Sequence, residues 1–403
     1  MKKYDLVVIG GGPAGEKASV RAAYFDKKVA LIENRKDPGG AGVHTGTLPS
    51  KTLREAALYF SGKRDTGLFG IDRDLKRSLS IDDFFYRKNF VTSSEVEQIN
   101  ANIAKHKVQR YYGKGVFEDE HRVRIIGGKE EVIYGDYILI ATGSYPYHPD
   151  TIPFDEDRIH DSDSILNLNR FPKSLCIVGA GVIGCEYATI FSTLGTEVFL
   201  VDSKDTILPF VDREVTEHLI EQMRHEGVDI TFKTGIADIE IPDSEDEMIR
   251  VELKTGEIIN ADMLLYAAGR SGNTNGLKLE HTGVMLGKRQ SIVVDQEYRT
   301  SVPHIFAAGD VIGFPALAST SMDQGRAAVA HMFGLEAADR VSQFFPYGIY
   351  TDPEISMVGL TEEEAQDQTI NYAVGKAYYT EMARGKIVGA QHGFLKLLFS
   401  RDD

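Results

Sequence analysis

The chain alternates short, wholly apolar runs with glycine-rich turns and amphipathic stretches. Leu6-Val7-Val8-Ile9 is apolar at four successive positions, and such a run beside turn residues predicts a strand buried on both faces. Gly10-Gly11-Gly12-Pro13-Ala14-Gly15 follows as a turn. Glu16 to Tyr24 predicts a helix with small residues along one face, and Val29-Ala30-Leu31-Ile32 a second strand closed by Glu33. The same order begins again at Leu175. Leu175-Cys176-Ile177-Val178 is the strand, Gly179-Ala180-Gly181-Val182-Ile183-Gly184 the turn, Cys185 to Leu194 the helix, and Val198-Phe199-Leu200-Val201 the next strand, closed by Asp202. First glycine to acidic residue spans 23 positions in each copy, 10 to 33 and 179 to 202. A repeat at that distance is a duplicated domain, not a solenoid.

Three further segments run from a buried strand into glycine: Tyr137 to Gly143, Asp262 to Arg270 and His304 to Asp310. Ser61 to Tyr112 carries many charges at helix-like spacing, with Phe84, Phe85 and Phe90 among them, and predicts long solvated helices. Glu240 to Glu247, acidic and containing Pro242, predicts a hairpin loop. After Ser342 the pattern changes: Phe344-Phe345-Pro346 and Tyr350-Thr351-Asp352-Pro353-Glu354 break the chain, and two strand-like stretches follow, Tyr372 to Tyr379 and Phe394 to Phe399. The expected class is α/β, with two Rossmann-like dinucleotide-binding domains and an α+β interface domain that stops short at Asp403.

Composition narrows the picture. With 403 residues, the chain exceeds what one core usually serves, about 250–300 residues. Its formal charge of −15 lacks the basic footprint of a nucleic-acid binder and disfavours anionic membrane surfaces. No apolar run approaches the ~18 residues of a membrane span or forms a signal segment, so the cytoplasm is the expected location. Two cysteines cannot build a disulfide framework. No metal-ligand set is assigned. The 39 glycines follow no collagen period, so the excess belongs to particular backbone positions.

The two turns supply the chemistry. Gly10 and Gly179 permit the tight turn, Gly12 and Gly181 let backbone amides approach a pyrophosphate, and Gly15 and Gly184 let helix and strand pack closely. Each helix N-terminus offers partial positive charge to phosphate. Glu33 and Asp202 are placed to accept hydrogen bonds from ribose hydroxyls. Two sites imply two dinucleotides in sequence on a hydride path, most naturally a held flavin and a nicotinamide.

These residues, with Gly39-Gly40, Gly46-Thr47-Leu48-Pro49-Ser50-Lys51, Ala141-Thr142-Gly143, Cys185-Glu186, Ala268-Gly269-Arg270, Ala308-Gly309-Asp310 and Tyr350 to Glu354, resemble the two-dinucleotide-binding-domain flavoproteins of the pyridine nucleotide-disulfide oxidoreductase superfamily, and within it the soluble pyridine nucleotide transhydrogenases. The resemblance implies FAD binding by 1–150 and 271–343, NAD(P) binding by 151–270, and a partial dimerisation domain over 344–403. FAD would be held by Gly10, Gly12, Pro13, Ala14, Gly15, Glu33, Gly40, Thr47, Lys51, Gly115, Thr142, Gly143, Gly309, Asp310 and Ala318. Gly115 would lie near the adenine and Asp310 on the ribityl chain. NAD(P) would be held by Gly179, Gly181, Val182, Ile183, Gly184, Asp202, Lys204, Gly269 and Arg270. Val182 stands where relatives place an aromatic lid. A homodimer is implied where the last domain is complete. Its early end leaves a shorter gene product or a lost terminus as alternatives.

The resemblance also separates reaction classes. The disulfide reductases place a redox cysteine pair where this chain has Gly42 and Thr47, and neither residue offers a thiolate. Cys176 and Cys185 read as a buried strand residue and a helix-packing residue. His392 reads as a surface histidine, not the acid–base histidine of the disulfide reductases. Lys51 is implied beside flavin N5, where a cation favours hydride acceptance, with Glu186 holding it in place. Ser319, Thr320 or Ser321 would cap a helix from Met322. Three functions remain open: ping-pong hydride transfer between NADH and NADP(H) through FAD; an NADH-specific diaphorase or dehydrogenase reducing a quinone or other acceptor; and a redox-silent flavin-binding protein. Asp202 suits the 2′-hydroxyl of NAD and opposes the 2′-phosphate of NADP, an opposition that Lys204 offsets in part.

Overall fold

The computed structural model describes residues 1–62, 79–128, 130–244, 247–335, 341, 344–390 and 392–402. The chain forms two compact units, each assembled from three segments. The first is Met1–Pro49, Lys88–Tyr147 and Arg270–Phe345; the second is Ser50–Arg87, His148–Gly269 and Pro346–Asp403.

In the first unit the strand Lys2–Ile9 lies between two parallel neighbours, Val29–Glu33 and Glu131–Ile140. Gln109–Tyr112 extends the parallel set beyond Val29–Glu33, and Ile305–Ala307 pairs in parallel with Glu131–Ile140. An antiparallel meander, Lys114–Phe117 and Arg122–Ile126, completes the seven strands. Both faces are covered. Val7, Ile9, Ile138 and Ile140 enter one core, while Leu6, Val8, Leu31 and Leu139 enter another beneath the helices. This two-sided burial is why the strands read as unbroken apolar runs.

The second unit repeats the plan. Five parallel strands run in the order Val228–Thr231, Glu197–Val201, Ser174–Val178, Met263–Tyr266, Ile159–Asp161. A separate antiparallel sheet, Ile236–Glu240, Ile249–Leu253 and Ile258–Ala261, contains the acidic turn expected at 240–247, of which 245–246 lie outside the described residues. The strands expected near the end pair as an antiparallel hairpin, Tyr372–Tyr378 with Phe394–Ser400.

Four expectations are corrected. The solvated helices of Ser61 to Tyr112 reduce, among the described residues, to one long helix, Ile81–Lys105, followed by a sheet strand; 63–78 lie outside the described residues. That helix is not simply solvated, because Phe84, Phe85, Ile99 and Ile103 are buried and only Phe90 of its phenylalanines is exposed. The two cradle helices begin inside the glycine turns, at Pro13 and Val182, since Gly12 and Gly181 already have the extended conformation of an N-cap. The helical run expected over Thr52 to Phe60, just after Lys51, starts instead at Thr47 and includes Lys51, because Pro49 falls in the first turn, where its missing N–H costs nothing. Finally, Ser319, Thr320 and Ser321 cap nothing. The helix Ala318–Phe333 begins before them and has Leu317 at its N-cap with no side-chain bond.

Charge ties the hairpin to the helix Arg213–His225. Lys396 Nζ donates to both carboxylate oxygens of Asp212 at 2.9 Å and lies 2.6 Å from Glu362 and 3.2 Å from Glu214. Its side chain is 7% exposed. Burial pushes the Asp212 carboxyl up, but the ammonium and two backbone donors outweigh burial and hold it below the usual carboxylate range. The bond from Lys396 likewise lowers Glu362. Depressed folded values contribute stability that is complete above the unfolded pKa of about 4 and is lost as pH falls through the folded values. Lys396→Met is expected to cost about 2–3 kcal/mol at neutral pH, the low end for a broken buried pair because two of its partners keep solvent contact. The cost should shrink below about pH 3. Urea midpoints at the two pH values check this; a pH-independent loss contradicts it.

Candidate functional site

The first cradle is built from backbone. Gly10 has φ of +105°, and a β-carbon there would stand 2.3 Å from the Ala141 carbonyl oxygen. A β-carbon on Gly15 would stand 1.9 Å from the Gly10 oxygen, so only glycine lets helix and strand approach this closely. No side chain caps the helix Pro13–Tyr24, and Pro13 has no N–H; its first-turn amides are left for an anion. Gly40 lies over Gly12, where a β-carbon would come within 2.7 Å of the Gly12 Cα. Glu33 does more than close the strand. Its Oε2 accepts from the Gly11 amide and its Oε1 from the Arg35 amide, both at 2.7 Å.

Around this floor, the Thr142 hydroxyl is buried with no hydrogen-bond partner among the described residues, and the space beside Gly143 is open. The helix Ala318–Phe333 lies against Ala14 because Gly325 has no side chain; its β-carbon would fall 2.3 Å from the Ala14 oxygen. Asp310 accepts from Ser144 Oγ at 3.2 Å and from Ser321 Oγ at 3.4 Å, and Arg270 donates to Ser144 Oγ at 2.8 Å. Gly115 packs against Ile9 and Ile32 on the sheet, and Thr47 is exposed at its helix start. An uncapped helix N-terminus, a floor without side chains and an orphaned buried hydroxyl fit an anionic dinucleotide.

The second cradle reproduces the first. Gly181 caps Val182–Thr193 with φ −78° and ψ −171°, against −74° and −172° at Gly12. A β-carbon on Gly184 would stand 1.8 Å from the Gly179 oxygen. Asp202 Oδ2 accepts from the Ala180 amide at 2.5 Å and Oδ1 from the Lys204 amide at 2.8 Å. In each copy one carboxylate therefore clamps the glycine turn to the amide two residues beyond itself. Val182 and Ile183 form the first turn of the helix, the Lys204 side chain is exposed, and Gly269 has φ of +123°.

Within the second unit, Lys51 and Glu186 meet. Lys51 Nζ lies 2.7 and 2.8 Å from the two carboxylate oxygens. Ser50 Oγ, at 3.2 Å, and the Tyr350 amide, at 3.1 Å, also donate to Glu186, while the ammonium sits 4.9 Å from the Tyr350 ring centroid. Glu186 is nearly buried and Lys51 about a quarter exposed, so the carboxylate is fully committed and the ammonium keeps one open side. The Tyr350 loop is itself held: Arg54 donates to the Thr351 carbonyl at 3.0 Å and pairs with Glu354 at 2.7 Å. Reading the sequence found Lys51 and Glu186 but missed Ser50, Tyr350 and Arg54 as their supports. The signal was the Tyr350 to Glu354 motif, whose partners Glu186 and Arg54 lie 164 and 297 positions away.

Fold and cradles define a dinucleotide-dependent oxidoreductase built on a duplicated domain. The chain belongs to the pyridine nucleotide-disulphide oxidoreductase family, whose model matches residues 4–325 and whose dimerisation domain matches residues 345–403; it is a flavoprotein oxidoreductase. It is 42% identical over 406 residues to the soluble pyridine nucleotide transhydrogenase of Mycobacterium tuberculosis, covering 100% of this chain and 86% of the relative. It is 41% identical over 401 residues to that of Pseudomonas putida, covering 99% and 85%. Among solved structures it is similar to LpdA of M. tuberculosis, with TM-score 0.90, 27% identity and coverage of 100% and 87%. The HOCl-induced flavoprotein disulfide reductase RclA of Escherichia coli matches at TM-score 0.86 and 28% identity, covering 99% and 87%. No described helix is long and apolar enough to cross a membrane.

At the two positions the resemblance assigns to a redox pair, a β-carbon on Gly42 would approach Pro13 Cγ at 3.0 Å, and Thr47 begins a helix. The chain's two thiols, Cys176 and Cys185, are completely buried, as expected. Burial pushes the Cys176 thiol up to about 12, and burial with the Asp202 and Glu186 charges pushes Cys185 up as well. Both are expected to resist an aromatic disulfide reagent at pH 8 in the native protein and to react only on denaturation. Rapid labelling of either thiol in the folded protein contradicts this burial.

Proposed function

We propose that this enzyme passes hydride between NADH and NADP(H) in ping-pong fashion through FAD, without a redox disulfide. The pair of equivalent, uncapped glycine cradles carries this reading: two dinucleotides are needed, and no thiol stands where a third redox group would relay electrons onward. The names of the relatives at 41–42% identity support it. Residues 1–150 and 271–343 would hold FAD, 151–270 the nicotinamide dinucleotide, and 344–403 would serve pairing of two subunits in the cytoplasm.

The chain's own contributions follow from its geometry. The amides after Gly12 and Gly181 would bind pyrophosphates, with Glu33 and Asp202 offering their remaining lone pairs to ribose hydroxyls. The Thr142 hydroxyl and Asp310 would orient the flavin chain. Lys51, fixed by Glu186, which Ser50 and the Tyr350 amide hold in turn, would favour negative charge on the ring system. Bound FAD would supply the carrier of the electron pair between one nicotinamide and the next. No step asks the protein for a proton, so glycine at 42 and threonine at 47 remove nothing this path requires.

Asp202 favours a second reading, an NADH-specific diaphorase. Its carboxylate beside a 2′-phosphate would cost about 1–4 kcal/mol according to the effective dielectric. Stopped-flow absorbance near 450 nm, with NADH and then NADPH, decides. Reduction by both supports transhydrogenation, reduction by NADH alone leaves the diaphorase, and reduction by neither leaves a redox-silent flavoprotein. Lys51→Met is expected to slow the reductive half-reaction about 10- to 100-fold; an unchanged rate removes its proposed role. Asp202→Asn keeps an acceptor for the Ala180 amide and is expected to raise kcat/KM for NADPH relative to NADH at least about fivefold.

A further inference from the structure

The outer face of the meander in the first unit carries a cavity whose lining shares no residue with either cradle. It measures about 430 Å³ and is lined by Val116, Phe117, Glu118, Arg122, Arg124, Ile126, Lys278 and His281. That volume lies in the usual range for small-molecule sites, roughly 300–1,000 Å³. The strand Arg122–Ile126 makes its wall by alternation. Val123 and Ile125 are completely buried in the core, so Arg122, Arg124 and Ile126 point outward.

The opposite rim is the segment around Lys278, sutured to the end of the neighbouring strand. The Phe117 amide donates to the Leu277 carbonyl at 2.9 Å, and His281 Nδ1 lies 3.0 Å from the Phe117 carbonyl oxygen. With Nδ1 carrying its proton toward that oxygen, Nε2 is left open. Lys278 has φ of +58°, a left-handed conformation that a lysine rarely adopts. Among the described residues its ammonium has no ion-pair partner. Glu118 pairs with Arg124, and Asp119 pairs with Arg122 at 2.5 Å. The lining thus sets three cations against Glu118, with Asp119 a second carboxylate on Arg122, and leaves Lys278 as the cation with no ion-pair partner among the described residues, in a chain whose formal charge is −15. Val116 and Ile126 supply apolar surface beside them, while the Phe117 ring turns inward with Val123.

We propose that this cavity binds a small phosphate ester whose organic part is apolar or aromatic. The phosphate would meet Lys278, Arg124 and Arg122, and the organic part would rest on Val116 and Ile126. A mixed floor of this kind distinguishes such an ester from inorganic phosphate, which uses the cations alone.

The test is calorimetric titration of the FAD-loaded protein, held in saturating NAD⁺ so that both cradles are filled, with phenyl phosphate and with inorganic phosphate. Saturable binding of phenyl phosphate at least fivefold tighter than phosphate is expected. Lys278→Gln and Arg124→Gln should each weaken it at least fivefold, and Glu118→Gln should tighten it by removing the competing carboxylate. Unchanged flavin absorbance and melting temperature show that each variant is folded. Absence of saturable binding overturns the proposal. So does binding that neither Lys278→Gln nor Arg124→Gln weakens, or that Glu118→Gln fails to tighten.

Discussion

Much of this protein follows from one steric fact, stated twice. The carbonyl oxygen of the first cradle glycine stands within 2 Å of where a β-carbon five residues later would be, at Gly15 over Gly10 and at Gly184 over Gly179. That contact lets the cradle helix start directly above the end of the central strand, so its free amides converge on the strand's carboxyl end. The acidic residue closing the second strand completes the arrangement. Glu33 and Asp202 each hold the turn's second amide with one oxygen and the loop's amide with the other. The acidic residue is therefore a structural clamp as well as a ribose acceptor, and neutralising Asp202 need not collapse the turn if the new side chain still accepts a hydrogen bond.

Lys51 and Glu186 form the charged centre of the second unit. A nearly buried carboxylate is costly unless its lone pairs are occupied, and here an ammonium, a hydroxyl and a backbone amide occupy them. The loop that supplies the amide is held in turn by Arg54. Charge placement of this sort, unlike a thiol pair, requires no redox change in the protein itself. It suits a chain whose two cysteines are both packed in the core.

The strands and glycine turns were the most legible elements, because burial on both faces writes an unbroken apolar run and close approach writes glycine. The helices were less so. Phe84 and Phe85 lie in a segment whose charges suggested solvent, yet both are buried against the second unit's core, since one covered face is enough to bury a helix that is polar elsewhere. The serines after Ala318 looked like a cap, but the helix begins ahead of them and Ser321 bonds Asp310 instead. In both cases local pattern was overridden by contacts with distant segments.

The sequence by itself determined the duplicated architecture, the cradle residues, the partnership of Lys51 with Glu186 implied by family resemblance, and the lack of thiols at positions 42 and 47. Local sterics and residue chemistry suffice for these. Only the tertiary structure decided which residues support them: Tyr350 and Arg54 around the ion pair, Lys396 among Asp212, Glu214 and Glu362, and the cations of the meander gathered opposite Lys278. Those groupings join positions tens to hundreds of residues apart. Electrostatic partners leave no period in the sequence, since an ion pair depends on where two chain segments meet and not on the spacing within either.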